Sequence, residues 1–143
     1  MFEKILYPTD FSVVSKKALD YVTKLKEAGS KEVIVLHVID ERAIGDICLL
    51  YRSRGSAEMV RGIKEEDCKE VDKIGAGLWK DCFEVKLRIE RGIPFTEIVR
   101  VEQEEGVSVT VLGSHGKSIV KEMLLGSVSE KVIRKSAKPV LVF

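Results

Sequence analysis

The sequence predicts an α/β fold, an open five-stranded parallel sheet with helices on both faces. Two observations carry this expectation. Strand-like runs alternate along the chain with segments whose apolar residues recur at three- and four-residue spacing. Two of those runs, Val33 to Ile39 and Val107 to Leu112, are almost continuously apolar or β-branched, as in strands covered on both faces. No linker, repeat or low-complexity tract divides the chain. Its 143 residues are one domain's worth, so residues 1–143 read as a single domain.

Taken in order, Phe2 to Tyr7 reads as the first strand, closed by Pro8, which has no N–H to give a ladder. Ser12 can cap a helix carrying Val14, Ala18, Tyr21, Val22 and Leu25, and Gly29 stops it. Val33 to Ile39 is the second strand. Asp40 to Gly55 has no clear period and reads as a long loop with room for a short helix. Val60, Ile63, Val71, Ile74 and Leu78 mark a second helix from Ala57 to about Lys80. Asp67 interrupts its stripe, and Gly62, Gly75 and Gly77 weaken it. Phe83 to Glu90 alternates apolar and charged residues, which predicts an edge strand with one face in water. Pro94 suits the first turn of a third helix that runs to Glu105 and stops at Gly106. Val107 to Leu112 is the fourth strand, and Gly113 to about Leu125 is a loop with partial helical character. Ser127 starts a last helix through Val128, Val132 and Ile133. Lys138-Pro139 breaks it before the fifth strand, Val140 to Phe143.

Composition narrows the function. Hydrophobic residues make up 45% and charged residues 33%, a globular balance that excludes wholesale disorder. Lys and Arg total 24 against 23 Asp and Glu, a net charge of +1, so nothing favours nucleic acid or an anionic membrane as partner. Apolar runs fall far short of the ~20 residues that span a bilayer. Met1-Phe2-Glu3-Lys4 leads straight into a strand pattern without a signal-peptide shape, so the expected location is the cytoplasm. Cys48, Cys68 and Cys82 are widely spaced and far from His37 and His115, which argues against a metal site and for incidental or buried thiols.

In an open parallel sheet, ligands bind beyond the carboxyl ends of the strands, where strand order reverses. With strand 3 at an edge and strands 1, 2 and 4 central, the order 3-2-1-4-5 fits and puts the crevice between strands 1 and 4. Two loops flank it. After strand 1 comes Pro8-Thr9-Asp10-Phe11-Ser12, where Asp10 can accept from a ribose hydroxyl or cap the next helix. After strand 4 comes Gly113-Ser114-His115-Gly116, then nine residues, then Gly126-Ser127. Glycines allow positive φ and let backbone N–H groups approach a ligand. A helix N-terminus adds unpaired N–H groups, and the Ser127 and Ser129 hydroxyls can donate, a set suited to a di- or triphosphate. Each glycine alone is equally a turn residue, and Ser127 alone a helix cap.

Together these residues form a Gly-x2-Gly-x9-Gly-Ser pattern that resembles the nucleotide-binding signature of the universal stress protein family. The likeness extends over nearly the whole chain, through Ile5 to Ser12, Leu36-His37-Val38, Gly92-Ile93-Pro94, Leu124 to Ser129 and Lys138 to Val142. It implies a Rossmann-like sheet of order 3-2-1-4-5, a homodimer paired through the C-terminal strand, and binding of ATP or AMP; Mg²⁺ could accompany ATP, with no conspicuous acidic cluster for it apart from Asp10. By the same resemblance Pro8, Thr9, Asp10 and Val38 would line the adenosine end. Gly113, Gly116, Gly126, Ser127, Val128 and Ser129 would hold the phosphates. Three features depart from the family pattern: Ser108 in place of an acidic residue, the hydroxyl of Thr110 inside a strand, and the stretch from Asp40 to Gly55.

Rival readings fail on particular residues. Gly116-Lys117-Ser118 mimics the end of a P-loop, but Val111 stands where its first glycine belongs. A phosphoacceptor receiver domain would need an aspartate ending strand 3, where Glu90-Arg91-Gly92 stands, and a lysine after the last strand. His115 is either a phosphate contact or a solvent-facing loop histidine, and Lys117 and Lys121 either screen phosphate or face water. His37 reads as a satisfied core histidine and Trp79 as core or interface. A regulatory module that signals by nucleotide occupancy, through its dimer or an unknown protein partner, is favoured. The alternatives are a slow ATP hydrolase or phosphotransferase, and a partner-binding dimer with an empty pocket. With no general base facing the loop, no residue is given a catalytic role.

Overall fold

The computed structural model describes residues 1–42, 56–116 and 125–143. The loop expected over 43–55, Cys48, and Lys117 and Lys121 lie outside the described residues, as do the side chains of Val60 and Ile63.

Five strands form one parallel sheet: β1 (Lys4–Pro8), β2 (Glu32–Asp40), β3 (Glu84–Gly92), β4 (Val109–Leu112) and β5 (Val140–Val142). Their order is β3-β2-β1-β4-β5, as the sequence predicts, so β3 is an edge and β1 lies at the centre. Four helices are described: α1 (Val13–Lys24), α2 (Ser56–Lys80), α3 (Pro94–Glu105) and α4 (Ser127–Lys135). No helix among the described residues is long and apolar enough to cross a membrane.

Strand periodicity splits the core into two layers. Ile5, Tyr7, Val33, Val35, Val109 and Val111 point toward Ala18 and Val22 of α1 and Val71, Ile74 and Leu78 of α2. The alternate residues Leu6, Ile34, Leu36 and Leu112 point toward Ile98 and Val101 of α3 and Val132 of α4. Local signals set the helix ends. Ser12 Oγ accepts from Ser15 N–H at 3.2 Å and caps α1. Pro94 opens α3, and Gly106 ends it in the left-handed region at φ 60°.

Several boundaries and roles differ from expectation. β1 begins at Lys4 rather than Phe2 and includes Pro8, because the β1–β2 ladder continues to the Pro8–Leu36 pair. β4 begins at Val109, since Ser108 spends its hydroxyl on the Lys4 backbone, accepting from its N–H at 2.8 Å and donating to its carbonyl at 2.9 Å. The charged face of β3 is not simply in water. Lys86 and Arg88 pair with Glu105 of α3 at 2.7 and 2.8 Å, and Arg88 also reaches Glu90 and Glu104. Trp79 is 72% exposed, so it is not a core residue of this chain.

Thr110 has a structural reason. Glu102 of α3 is fully buried, and its carboxyl group accepts from Thr110 Oγ1 at 2.9 Å, Ser136 Oγ at 2.7 Å and Ala137 N–H at 3.1 Å. A buried acidic group without such donors would be costly. The cluster joins α3, β4 and the turn that follows α4.

Candidate functional site

The crevice opens because Pro8 ends one ladder and leaves the other running. Ser108 N–H donates to the Lys4 carbonyl, so the even-numbered residues of β1 turn their backbone toward β4. That pairing stops at Leu6–Thr110, and Pro8, next in the series, has no N–H to continue it. On the other side, Thr9 N–H still donates to the Leu36 carbonyl at 2.8 Å. β1 and β4 therefore part at their carboxyl ends, on the side of the sheet carrying α3 and α4.

A cavity of about 430 Å³ fills the gap, within the range of small-ligand pockets. All ten residues expected from the sequence line it: Pro8, Thr9, Asp10, Val38, Gly113, Gly116, Gly126, Ser127, Val128 and Ser129. The structure adds Ser15, Leu36, Asp40, Pro94, Ile98, Leu112 and His115. Leu36, Ile98 and Leu112 belong to the α3 and α4 core layer, and their place in the wall follows from topology, which pattern reading at single loops does not reach. Asp40 extends β2 beyond its expected end, and Arg42 grips its carboxylate through Nε and Nη2 at 3.0 and 2.9 Å.

The glycines matter here for close approach, not for positive φ as expected. Gly29, Gly92 and Gly106 take positive φ among the described glycines, whereas the three cavity glycines do not. A Cβ on Gly113 would lie 3.0 Å from Ser15 N, one on Gly116 would lie 2.8 Å from Asp10 Oδ2, and one on Gly126 would lie 3.0 Å from His115 Cα. Gly113 thus lets β4 end against the first turn of α1, and Gly126 lets the start of α4 touch the 114–115 backbone, where its N–H donates to the Ser114 carbonyl at 2.6 Å.

The polar groups divide their work differently from expectation. Asp10 does not cap α1; Ser12 does, and Asp10 Oδ1 accepts from Ser12 N–H at 3.0 Å to hold the turn. Its second oxygen lies on the Gly116 side of the cavity. Ser127 is not the cap of α4, since Gly126 occupies that position, and the exposed Ser127 side chain makes no capping bond. Ser129 is buried and gives its hydrogen to the Gly113 carbonyl at 2.8 Å, so it ties α4 to the end of β4 and does not donate into the cavity. Ser114 Oγ and His115 Nδ1 lie 3.1 Å apart.

Beneath Thr9 the turn is fixed by a buried hydroxyl chain. Tyr7 donates to the Ser15 carbonyl at 2.8 Å, Ser15 Oγ donates to Thr9 Oγ1 at 2.7 Å, and Phe11 N–H donates to Thr9 Oγ1 at 3.0 Å. Burial pushes the Tyr7 phenol up from its ordinary value, keeping it a neutral donor. His37 is satisfied, as expected: 8% exposed, with Nδ1 2.8 Å from the Thr9 carbonyl and Nε2 3.4 Å from Asp67 Oδ2. That contact also explains the acidic residue interrupting the apolar stripe of α2. Among the described residues no cluster of three or more His, Cys, Asp or Glu could hold a metal ion.

A parallel sheet of order 3-2-1-4-5 with its cavity at the topological switch point defines a Rossmann-like α/β protein. The family model described as "Universal stress protein family" matches residues 1–143. Universal stress protein MJ0577 of Methanocaldococcus jannaschii is 44% identical over 153 residues, covering 99% of this chain and 94% of that one. Universal stress protein YxiE of Bacillus subtilis is 36% identical over 146 residues, covering 99% of both. The solved structure of MJ0577 matches with a TM-score of 0.89 at 46% identity, covering 99% of this chain and 95% of that one. The chain belongs to the universal stress protein family.

Proposed function

We propose that the crevice binds an adenine nucleotide, ATP or AMP, and that occupancy adjusts a homodimer and its contacts with a protein partner in the cytoplasm. One observation carries the reading: the backbones of Gly113, Gly116 and Gly126, the N-terminus of α4 and the Asp10 carboxylate converge on one cavity whose inner wall is apolar. Unpaired N–H groups of a helix N-terminus favour phosphate. The free oxygen of Asp10 suits a ribose hydroxyl, because Ser12 already occupies the other. At the far end, Val38 lines the cavity and suits the adenosine end of such a ligand. Mg²⁺ would arrive with the triphosphate, held mainly by its oxygens, with Asp10 the nearest carboxylate to the glycine loop.

Titration calorimetry of nucleotide-stripped protein with ATP, AMP and ATP plus Mg²⁺ tests this. The expected result is saturable binding near one site per chain, with Asp10→Ala weakening ATP and AMP alike by about tenfold. No binding by the folded wild type overturns the reading. A loss confined to ATP would move Asp10 from ribose to phosphate or metal.

A further inference from the structure

β2 alternates its backbone groups between its two neighbours. Glu84 N–H donates to the Lys31 carbonyl, whereas Glu32 N–H donates to the Glu3 carbonyl and Thr9 N–H to the Leu36 carbonyl. Even-numbered residues of β2 therefore face β1, and Val38 comes next in that series after Leu36. A continuing parallel ladder would have Val38 N–H donate to the Thr9 carbonyl. Among the described residues that bond is not made, although its neighbour from Thr9 N–H to the Leu36 carbonyl is, and Val38 N–H faces away from β3.

The Thr9 carbonyl is instead 2.8 Å from His37 Nδ1. A carbonyl only accepts, so Nδ1 carries the hydrogen. The His37 side chain lies on the opposite side of the sheet from Val38, so the carbonyl it holds is drawn out of the ladder. The ring itself is fixed on two further sides. Asp67 of α2 faces Nε2 at 3.4 Å, and the Phe11 ring stacks at 4.4 Å. Phe11 sits at φ 62°, in the left-handed region that bulky residues rarely adopt, so the chain bends sharply where it covers His37.

We propose that His37 is a positioning residue for base recognition: by taking the Thr9 carbonyl, it leaves Val38 N–H open to the cavity as the donor to a ring nitrogen of the base. This rests on the nucleotide reading above. His37 need not touch the ligand, and its effect is carried by one backbone hydrogen bond that the fold declines to close.

The test is the affinity for AMP and for 1-deaza-AMP, in which the N1 acceptor is a C–H. Wild type is expected to prefer AMP by about tenfold, one neutral hydrogen bond's worth. In His37→Leu the preference disappears, with AMP binding falling to the level of the analogue and the analogue unchanged. His37→Asn, which can present an amide N–H near the place of Nδ1, retains part of the preference. A folded His37→Leu protein that still prefers AMP overturns the inference and leaves the nucleotide reading standing. Wild type that binds neither ligand overturns both. Should His37→Leu fail to fold, amide exchange in wild type decides: Val38 N–H is expected to exchange fast in the free protein and to be protected by AMP. Slow exchange of Val38 in the free protein, or a His37 ring with no hydrogen on Nδ1, overturns the inference.

Discussion

Gly116 and Asp10 form the tightest pairing in the cavity, and it is one of chemistry as well as space. Asp10 is pinned through Oδ1 by Ser12 N–H, so it cannot swing away from a side chain at residue 116 without breaking the turn. Gly116→Ala is therefore expected to displace the carboxylate and loosen the turn, lowering nucleotide affinity about tenfold and costing about 1–2 kcal/mol of stability, even though the backbone there has no positive φ. Calorimetric titration beside urea denaturation separates the two effects. Gly126→Val is a different experiment, since its Cβ meets His115 backbone and would disturb the loop before any ligand arrives. Thr110→Val keeps the shape of the strand but removes a donor from the buried Glu102. The expected cost is about 1–3 kcal/mol in denaturant, the range for a buried polar group losing a partner. Thr110 and Asp67 both break an apolar pattern in the sequence, and both do so for partners on other elements. Such residues are visible as exceptions along the chain, but their partners are set by topology.

At the scale of elements, β3 shows where alternation is read correctly and its purpose is missed. The charged residues of the strand do alternate with apolar ones, yet Lys86 and Arg88 meet Glu104 and Glu105 at the end of α3, which folds back over them. Hydropathy cannot tell a solvated lysine from one facing a carboxylate across a crossover. Pairing with Lys86 first, and with Arg88, holds Glu105 below its ordinary carboxylate value, and Arg100 with Arg88 does the same for Glu104. A carboxylate with a lowered folded-state pKa binds its proton more readily when unfolded. Its stabilisation is thus complete above about pH 4.5, the ordinary value, and is lost as pH falls through the lower, folded value. In urea unfolding from pH 7 to 3, the midpoint of wild type should hold steady and then drop on the acid side. Glu105→Gln should start lower and converge with wild type in acid, and raised salt should narrow the gap at neutral pH. A gap that stays constant with pH would mean that Glu105 acts by packing alone.

For the whole molecule, the strand order follows from treating β3 as an edge and the continuous apolar runs as central, and that logic leaves β5 as the second edge. Its hydrogen bonds show which groups remain for another chain. Thr110 N–H donates to the Pro139 carbonyl, Phe143 N–H to the Leu112 carbonyl, and Ser114 N–H to the Phe143 carbonyl. Odd-numbered residues of this segment face β4, so the backbones of Val140 and Val142 face outward. Val140, Leu141, Val142 and Phe143 are all only partly buried, and Tyr21 stacks on Phe143 at 4.0 Å, which extends an apolar margin along the same edge. A sheet edge of this kind, apolar and with outward-facing backbone groups, is a template for strand pairing. Val142→Pro removes one outward N–H and none that holds β5 to β4, and proline is tolerated at such an edge position. Light scattering after gel filtration is expected to give twice the 16.0 kDa chain mass for wild type and the single mass for Val142→Pro, with the thermal midpoint little changed. A Val142→Pro protein that remains a dimer would exclude pairing through β5 and turn attention to the exposed Trp79 at the end of α2. The cavity lies at the β1–β4 switch point and uses no residue of β5. A monomeric Val142→Pro that still binds nucleotide would therefore separate occupancy from assembly, and a loss of binding on dissociation would show that the two are coupled.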